Sequence, residues 1–263
     1  MACQVAFLRW CHDGLLSPTR NTDGALIRAI VLKRDEVDDF DAYPFSIPAI
    51  GQLDELALDP HVTFFAGENG SGKSTLVEAI AVAAGFNPEG GSRNMTVSTR
   101  ASHSALHRHV RLVRGTRRPR NGYFLRAESF FNVATHVEEI GGPARASHGG
   151  RSLHEQSHGE SFIALVTNRF GPNGLYVLDE PEAALSVRGI LALMRRMHDL
   201  IAEGSQFVVS THSPILLGYP NATIYVLSEH GIAETPYDST EVIELTRSFL
   251  DDRAQFFHHL FEG

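Results

Sequence analysis

Gly67-Glu68-Asn69-Gly70-Ser71-Gly72-Lys73-Ser74 decides how this chain is read. The octet is a complete G-x-x-x-x-G-K-S pattern. Val62–Ala66 ahead of it is a short apolar run, as a buried strand requires. Behind it, Ser74–Ala84 places Leu76, Val77, Ile80 and Ala84 on one helical face, and Gly85 stops the helix. Strand, glycine loop and helix therefore follow in order. Glycines let a backbone wrap closely around phosphates, with inward N–H groups and the positive end of the helix behind them. Gly67, Glu68, Asn69, Gly70, Ser71, Gly72, Lys73, Ser74 and the adjoining Thr75 are the expected nucleotide contacts. Lys73 is expected at the β- and γ-phosphates and the Ser74 hydroxyl on Mg²⁺. Alone, the octet fits a kinase or a GTPase as well.

Three further elements narrow the choice. Leu175-Tyr176-Val177-Leu178 is wholly apolar, as suits a parallel strand buried on both faces, and Asp179-Glu180-Pro181 follows at its carboxyl end. Open α/β sheets bind ligands at that end. There Asp179 would hold Mg²⁺ and Glu180 would polarise the attacking water. The competing reading is a pair of acids capping a helix. Phe207-Val208-Val209 is a second apolar run, ending in Ser210-Thr211-His212. From there His212 would reach a γ-phosphate, although a lone histidine is more often structural. Finally, Ser157-His158-Gly159-Glu160 precedes the helical stretch Glu160–Phe170. It resembles the ABC signature, with His158 in place of the usual glycine. A serine hydroxyl and free N–H groups at a helix start make a second phosphate site; the alternative is an ordinary N-cap.

Together these motifs make the chain similar to the small stand-alone ATPases grouped with the AAA-type and SMC-like ABC ATPases. The resemblance runs from about residue 27 onward. Tyr43-Pro44-Phe45, Val62 to Thr75, Phe124 to Thr135, Asp179 to Leu185 and Thr211 to Leu216 carry it in detail. It implies an α/β P-loop NTPase of ABC-ATPase type, with a mainly parallel central sheet flanked by helices and a small helical signature lobe. It implies ATP and Mg²⁺, hydrolysis with Glu180, His212 and Lys73 in catalytic roles, and a head-to-tail homodimer. In that dimer Ser157, Gly159 and Glu160 of one copy would close on ATP held by the other. Ala183-Ala184-Leu185-Ser186 falls where such proteins line the dimer seam. Phe124-Leu125-Arg126-Ala127-Glu128 falls at the glutamine loop, with Glu128 as a metal-side carboxylate replacing glutamine.

Composition sets the remaining bounds. The 263 residues suit one large domain, expected over 25–263, with about 90–170 forming the lobe and 1–24 an irregular extension. Cys3 and Cys11 alone make neither a disulfide framework nor a zinc site, and no apolar run reaches membrane-spanning length. A cytoplasmic location is expected, at the inner membrane only if a permease is the partner. No heptad pattern of a long coiled coil fills the interval between Lys73 and Ser157.

Gly90–Ala127 holds nine of the 23 basic residues and none of the 31 acidic ones. Arg93 to Arg126 is therefore a candidate nucleic-acid surface, or a set of arginines facing acidic neighbours. Three functions follow as expectations: a soluble ATP-switched dimer acting on an unknown partner, the ATP-binding subunit of a transporter, or a DNA repair or recombination ATPase. Tyr43 and Phe45 are both candidates to stack on the base. Two local expectations complete the reading: an extended segment over Tyr43–Ile50 broken by its prolines, and one last helix over 239–261 capped by Asp238.

Overall fold

The computed structural model describes residues 24–93, 104–127 and 158–262. Its elements in chain order are β1 (Ile27–Leu32), α1 (Pro48–Gly51), β2 (Glu55–Ala57), β3 (Val62–Gly67), α2 (Lys73–Ala83), α3 (Leu106–His109), β4 (Val110–Arg114) and β5 (Asn121–Arg126). There follow α4 (His158–Arg169), β6 (Gly174–Asp179), α5 (Val187–Ala202), β7 (Gln206–Ser210), α6 (Pro214–Leu217), β8 (Thr223–Ser228), β9 (Gly231–Glu234), α7 (Glu241–Asp251) and α8 (Arg253–Glu262).

The main sheet has the order β5-β6-β7-β3-β8-β9, parallel from β5 to β8 with β9 as an antiparallel edge. Every residue of β6 and β7 is buried, because helices or strands cover both faces. The second sheet, β2-β1-β4, is antiparallel. It packs with α2 against one face of the main sheet around Ile30, Leu76, Ile80 and Val177. The opposite face is covered by α4, α5 and α6 through Phe162, Leu165, Leu193, Met197 and Leu216.

Local chemistry explains the helix ends. Ser186 caps α5 by accepting from the Gly189 N–H at 3.3 Å. At the far end of α2, the Gly85 and Phe86 N–H groups return to the Val82 and Ala81 carbonyls, so the helix stops at the expected glycine. Ile190, Leu193, Met197 and Leu200 make the buried stripe of α5.

Two local expectations are corrected. Tyr43–Ile50 is not extended: turns lead into α1, because Pro48 sits at the first helical position, where its missing N–H costs nothing. The last helix is two helices. Thr240, not Asp238, holds the N-cap position of α7, and Asp238 pairs with Arg247 at 2.6 Å. Asp252 leaves helical geometry, and its Oδ1 accepts from the Gln255 N–H at 3.0 Å, so it ends α7 and caps α8. Strands β2, β4 and β9 were not foreseen. The expected extension over 1–24 lies outside the described residues except for Gly24.

One buried polar residue locks the two sheets together. Gln206 is fully buried, accepts from the Leu26 and Ile27 N–H groups at 3.0 and 2.9 Å, and donates to the Ile27 and Asp59 carbonyls at 2.8 Å each. Replacing it by leucine strands these backbone groups away from water. Gln206→Leu should lower unfolding stability in urea by about 3 kcal/mol or more, because each orphaned buried group costs about 1–3 kcal/mol. A shift below about 1 kcal/mol would show that the amide does not hold the sheets together.

Candidate functional site

The parallel register brings three strand ends to one place. Asp179 at the end of β6 stands opposite Ser210 at the end of β7, and Phe65 of β3 stands opposite the same Ser210. The Thr211 N–H donates to the Phe65 carbonyl at 3.0 Å, tying the loop after β7 to the strand that enters the glycine loop. Loops after β3, β6 and β7 therefore meet at the carboxyl edge of the sheet.

The glycine loop has the conformation its sequence requires. Gly67 has φ +136°, and a Cβ there would lie 2.2 Å from the Leu227 carbonyl oxygen, so only glycine fits. Gly70 has φ +83° and nothing within 4 Å of its Cβ direction, which leaves that side of the loop open to a ligand. Helix α2 starts at Lys73 with no side-chain cap on its first N–H groups. Lys73 is only 4% exposed, and its Nζ donates to the Gly67 and Glu68 carbonyls at 2.9 and 2.7 Å. Burial lowers its pKa, while Glu180, Asp179 and Glu182 pull it back up.

The acids are held with different freedom. Asp179 is buried; its Oδ1 accepts from Ser210 Oγ at 2.5 Å and its Oδ2 lies 3.5 Å from Arg126 Nε. Arg126 also bonds Glu78 of α2 at 2.6 Å, so one guanidinium links the glycine-loop helix to β6. Glu180 adopts left-handed backbone (φ 49°, ψ 53°), a conformation costing a non-glycine residue about 1–3 kcal/mol, and its N–H is fixed by the Ser210 carbonyl at 3.1 Å. Its half-buried side chain has Oε1 3.4 Å from His212 Nε2. That approach lacks hydrogen-bond geometry, and His212 Nε2 is buried without a hydrogen-bond partner.

Of the expected nucleotide contacts, Asn69, Gly70, Gly72, Lys73, Ser74 and Thr75 line one open cavity of about 260 Å³ together with Tyr43, Ile47 and Glu180. Gly67 and Glu68 contribute the carbonyls that hold Lys73. Ser71 Oγ is buried without a partner in the protein, as a polar atom awaiting an anion would be. Tyr43 is exposed on the rim with its hydroxyl 3.3 Å from Thr75 Oγ1, whereas Phe45 is buried against Phe40 and His109. Of the two aromatics, only Tyr43 is free to meet a base.

A metal fits on the chemistry of the donors. Ser74 and Asp179 supply hard oxygens of the kind Mg²⁺ prefers. Among the described residues, no cluster of three or more His, Cys, Asp or Glu is arranged to hold a metal alone. A divalent cation here would need phosphate oxygens and water as further ligands, as Mg²⁺ in nucleotide sites usually does.

Gly159 and Glu160 lie at the start of α4, away from this cavity. They line a separate groove of about 610 Å³ with Ala184, Leu185 and Ser186. The expected contacts Ser157 and Glu128 lie outside the described residues.

Sequence reading missed Glu182. Its Oε1 accepts from Thr211 Oγ1 at 2.7 Å and from the His212 and Ser213 N–H groups at 2.6 and 3.2 Å. The available signal was a further acid two positions after Glu180, in a turn that the strand order places beside the loop carrying His212.

The Arg-rich segment divides. Arg126 turns inward, and Arg117 bonds Asn173 and the Gly204 carbonyl. Arg93 lies over the Phe86 ring at 5.1 Å. Arg108, Arg111, Arg114, Arg118 and Arg120 are exposed, and Arg100 lies outside the described residues. No described helix is long and apolar enough to cross a membrane.

Residues 45–129 match the family model described as AAA domain. A protein of Methanothermobacter thermautotrophicus named as an ABC transporter ATP-binding protein is 36% identical over 61 residues. That match covers 23% of this chain and only 22% of the relative's length. Among solved structures, the SMC head domain from Thermotoga maritima aligns over 80% of this chain and 98% of its own, at 18% identity and a TM-score of 0.44. The inward-facing conformation of a metal-chelate type ABC transporter aligns over 86% of this chain and 89% of its own, at 15% identity and a TM-score of 0.48. Part of the chain is thus similar in sequence to an AAA domain and to an ABC transporter ATP-binding protein.

Proposed function

We propose that this protein binds ATP with Mg²⁺ at the glycine loop, hydrolyses it to ADP and phosphate, and works as a head-to-tail dimer that closes on ATP and reopens after hydrolysis. One observation carries the reading: Lys73, Asp179, Glu180 and His212, drawn from three distant stretches of sequence, converge at one sheet edge beside an open glycine loop. Lys73 and the loop N–H groups bind phosphate oxygens. Ser74 and Asp179 hold the metal, which supplies charge neutralisation of the polyphosphate. Glu180 accepts the proton of the attacking water, and His212 orients the γ-phosphate side of the site. Tyr43 stacks on the base. The charge balance supports the metal requirement, since Asp179, Glu180 and Glu182 all act on the Lys73 ammonium and would repel an anionic polyphosphate.

The dimer is supported by the separation of the two half-sites. Gly159 and Glu160 border the Ala184–Ser186 groove and not the glycine-loop cavity of the same chain, so a second copy is the natural source of the other half. Light scattering on the Glu180→Gln protein tests this. Doubling of mass with ATP and Mg²⁺, absent with ADP, is the expected result; an unchanged monomer would contradict the dimer.

The object of the cycle is a protein partner on this reading. A transporter-subunit role draws on the 61-residue similarity to the archaeal protein. A nucleic-acid role draws on the exposed Arg108, Arg111, Arg118 and Arg120. If those arginines meet phosphates, ATP turnover should rise with duplex DNA, and that rise should collapse on raising salt from about 50 to about 200 mM. A rate indifferent to DNA at both salts would leave the protein-partner reading.

A further inference from the structure

We propose that Glu182 is a positioning residue that fixes the backbone of His212 to the turn carrying Glu180, so that base and histidine are set as one unit. The inference rests on the ATPase reading above and deepens it.

Two adjacent strand ends are sewn together at three successive places. Ser210 Oγ donates to Asp179 Oδ1 at 2.5 Å. The Glu180 N–H donates to the Ser210 carbonyl at 3.1 Å. Glu182 Oε1 then receives the Thr211 hydroxyl and the peptide N–H groups of His212 and Ser213, at 2.7, 2.6 and 3.2 Å. Hydrogen bonds to an ionised acceptor are roughly twice as strong as neutral ones. The loop is fixed on its other side too. Ser213 Oγ accepts from the Leu216 N–H at 3.3 Å, and Leu216 and Leu217 are buried in the core.

The backbone around His212 is therefore clamped between a carboxylate and a core helix. The His212 side chain is presented to Glu180, with Nε2 3.4 Å from Oε1. Glu180 and Glu182 flank Pro181, whose ring fixes its own φ and stiffens the short 3-10 turn Pro181–Ala184. A displacement of that turn moves the general base and the histidine's anchor together. The same turn runs into Leu185 and Ser186, which line the groove beside Gly159. Approach of a second copy at that groove would thus be felt at His212 through Glu182.

Steady-state hydrolysis by full-length Glu182→Ala, Glu182→Gln, His212→Ala and the Glu182→Ala/His212→Ala double variant tests the proposal. Glu182→Ala should lose about 30-fold in kcat with KM for ATP within about threefold, as expected when an interaction acts on the chemical step and not on binding. Glu182→Gln keeps an acceptor oxygen and should recover to within about fivefold of wild type. The double variant should fall no more than about twofold below His212→Ala, because residues acting through one another are not additive.

An unchanged Glu182→Ala rate, a rise in KM alone, a Glu182→Gln rate as low as that of Glu182→Ala, or multiplying losses in the double variant would each overturn it. A Glu182→Ala chain that cannot fold would also overturn it, since the contact would then serve the fold and not the histidine. Wild-type turnover with indifferent Glu182 variants removes only this proposal. A wild type that binds but never hydrolyses ATP removes the ATPase reading itself.

Discussion

Glu180→Gln should abolish most turnover and leave nucleotide affinity within about threefold of wild type. Removing a general base typically costs about 10²–10⁴-fold in rate. Glutamine keeps the shape of the side chain, so the strained turn that begins at Glu180 and its N–H bond to Ser210 should survive. What disappears is the carboxylate that takes the water's proton. The measurement is steady-state phosphate release beside equilibrium binding of a fluorescent ATP analogue. A turnover within about threefold of wild type would remove Glu180 as the base. A large loss of binding instead would place its role in nucleotide contact.

Lys73→Ala should have the second largest effect, on nucleotide binding as well as on turnover. Lys73 is the buried cation among Asp179, Glu180 and Glu182, and burial already presses its pKa down against their pull. Its Nζ rests on the Gly67 and Glu68 carbonyls, so it is preorganised at the loop where phosphate oxygens would compete for it. Without it, the site loses a cation on which Asp179, Glu180 and Glu182 all act, and an anionic ligand meets more negative charge. ATP affinity should weaken by about 100-fold or more, about 3 kcal/mol, in calorimetric titration with Mg²⁺. Retained tight binding would show that nucleotide does not enter this loop.

The elements legible in the sequence were those whose pattern follows from full burial or from a helical stripe. β3, β6 and β7 read directly from apolar runs, and α2 from the helical spacing of Leu76, Val77 and Ile80. The three-residue β2 and the antiparallel edge β9 were not legible, because Glu55-Leu56-Ala57 and Gly231–Glu234 are too short to show a period. The break at Asp252 was missed for another reason. Apolar residues continue across it in Leu250 and Phe256, and only the aspartate's capping bond reveals two helices.

At the site, residues named by contiguous motifs were legible, and those that act by juxtaposition were not. Lys73, Asp179, Glu180 and His212 announce themselves by following apolar strands or sitting in the octet. Arg126 read either as part of a basic surface or as an arginine facing acidic neighbours, and only the structure decides: it faces Glu78 and Asp179, because β5 lies beside β6 in the sheet and their register sets Arg126 opposite Asp179. Glu182 looked like one more acid of a turn until the strand order placed it against the loop after β7. The choice between Tyr43 and Phe45 also needed packing, since both stand beside prolines in sequence and only Phe45 is buried.

The most direct test of the account is release of inorganic phosphate from ATP by the wild-type protein with Mg²⁺, with Lys73→Ala protein prepared identically as the background. The account predicts many turnovers by the wild type, none above background in the variant, and loss of the wild-type rate when Mg²⁺ is chelated. Wild-type protein that binds ATP but releases no more phosphate than Lys73→Ala would contradict it, leaving a nucleotide-binding scaffold in place of an ATPase.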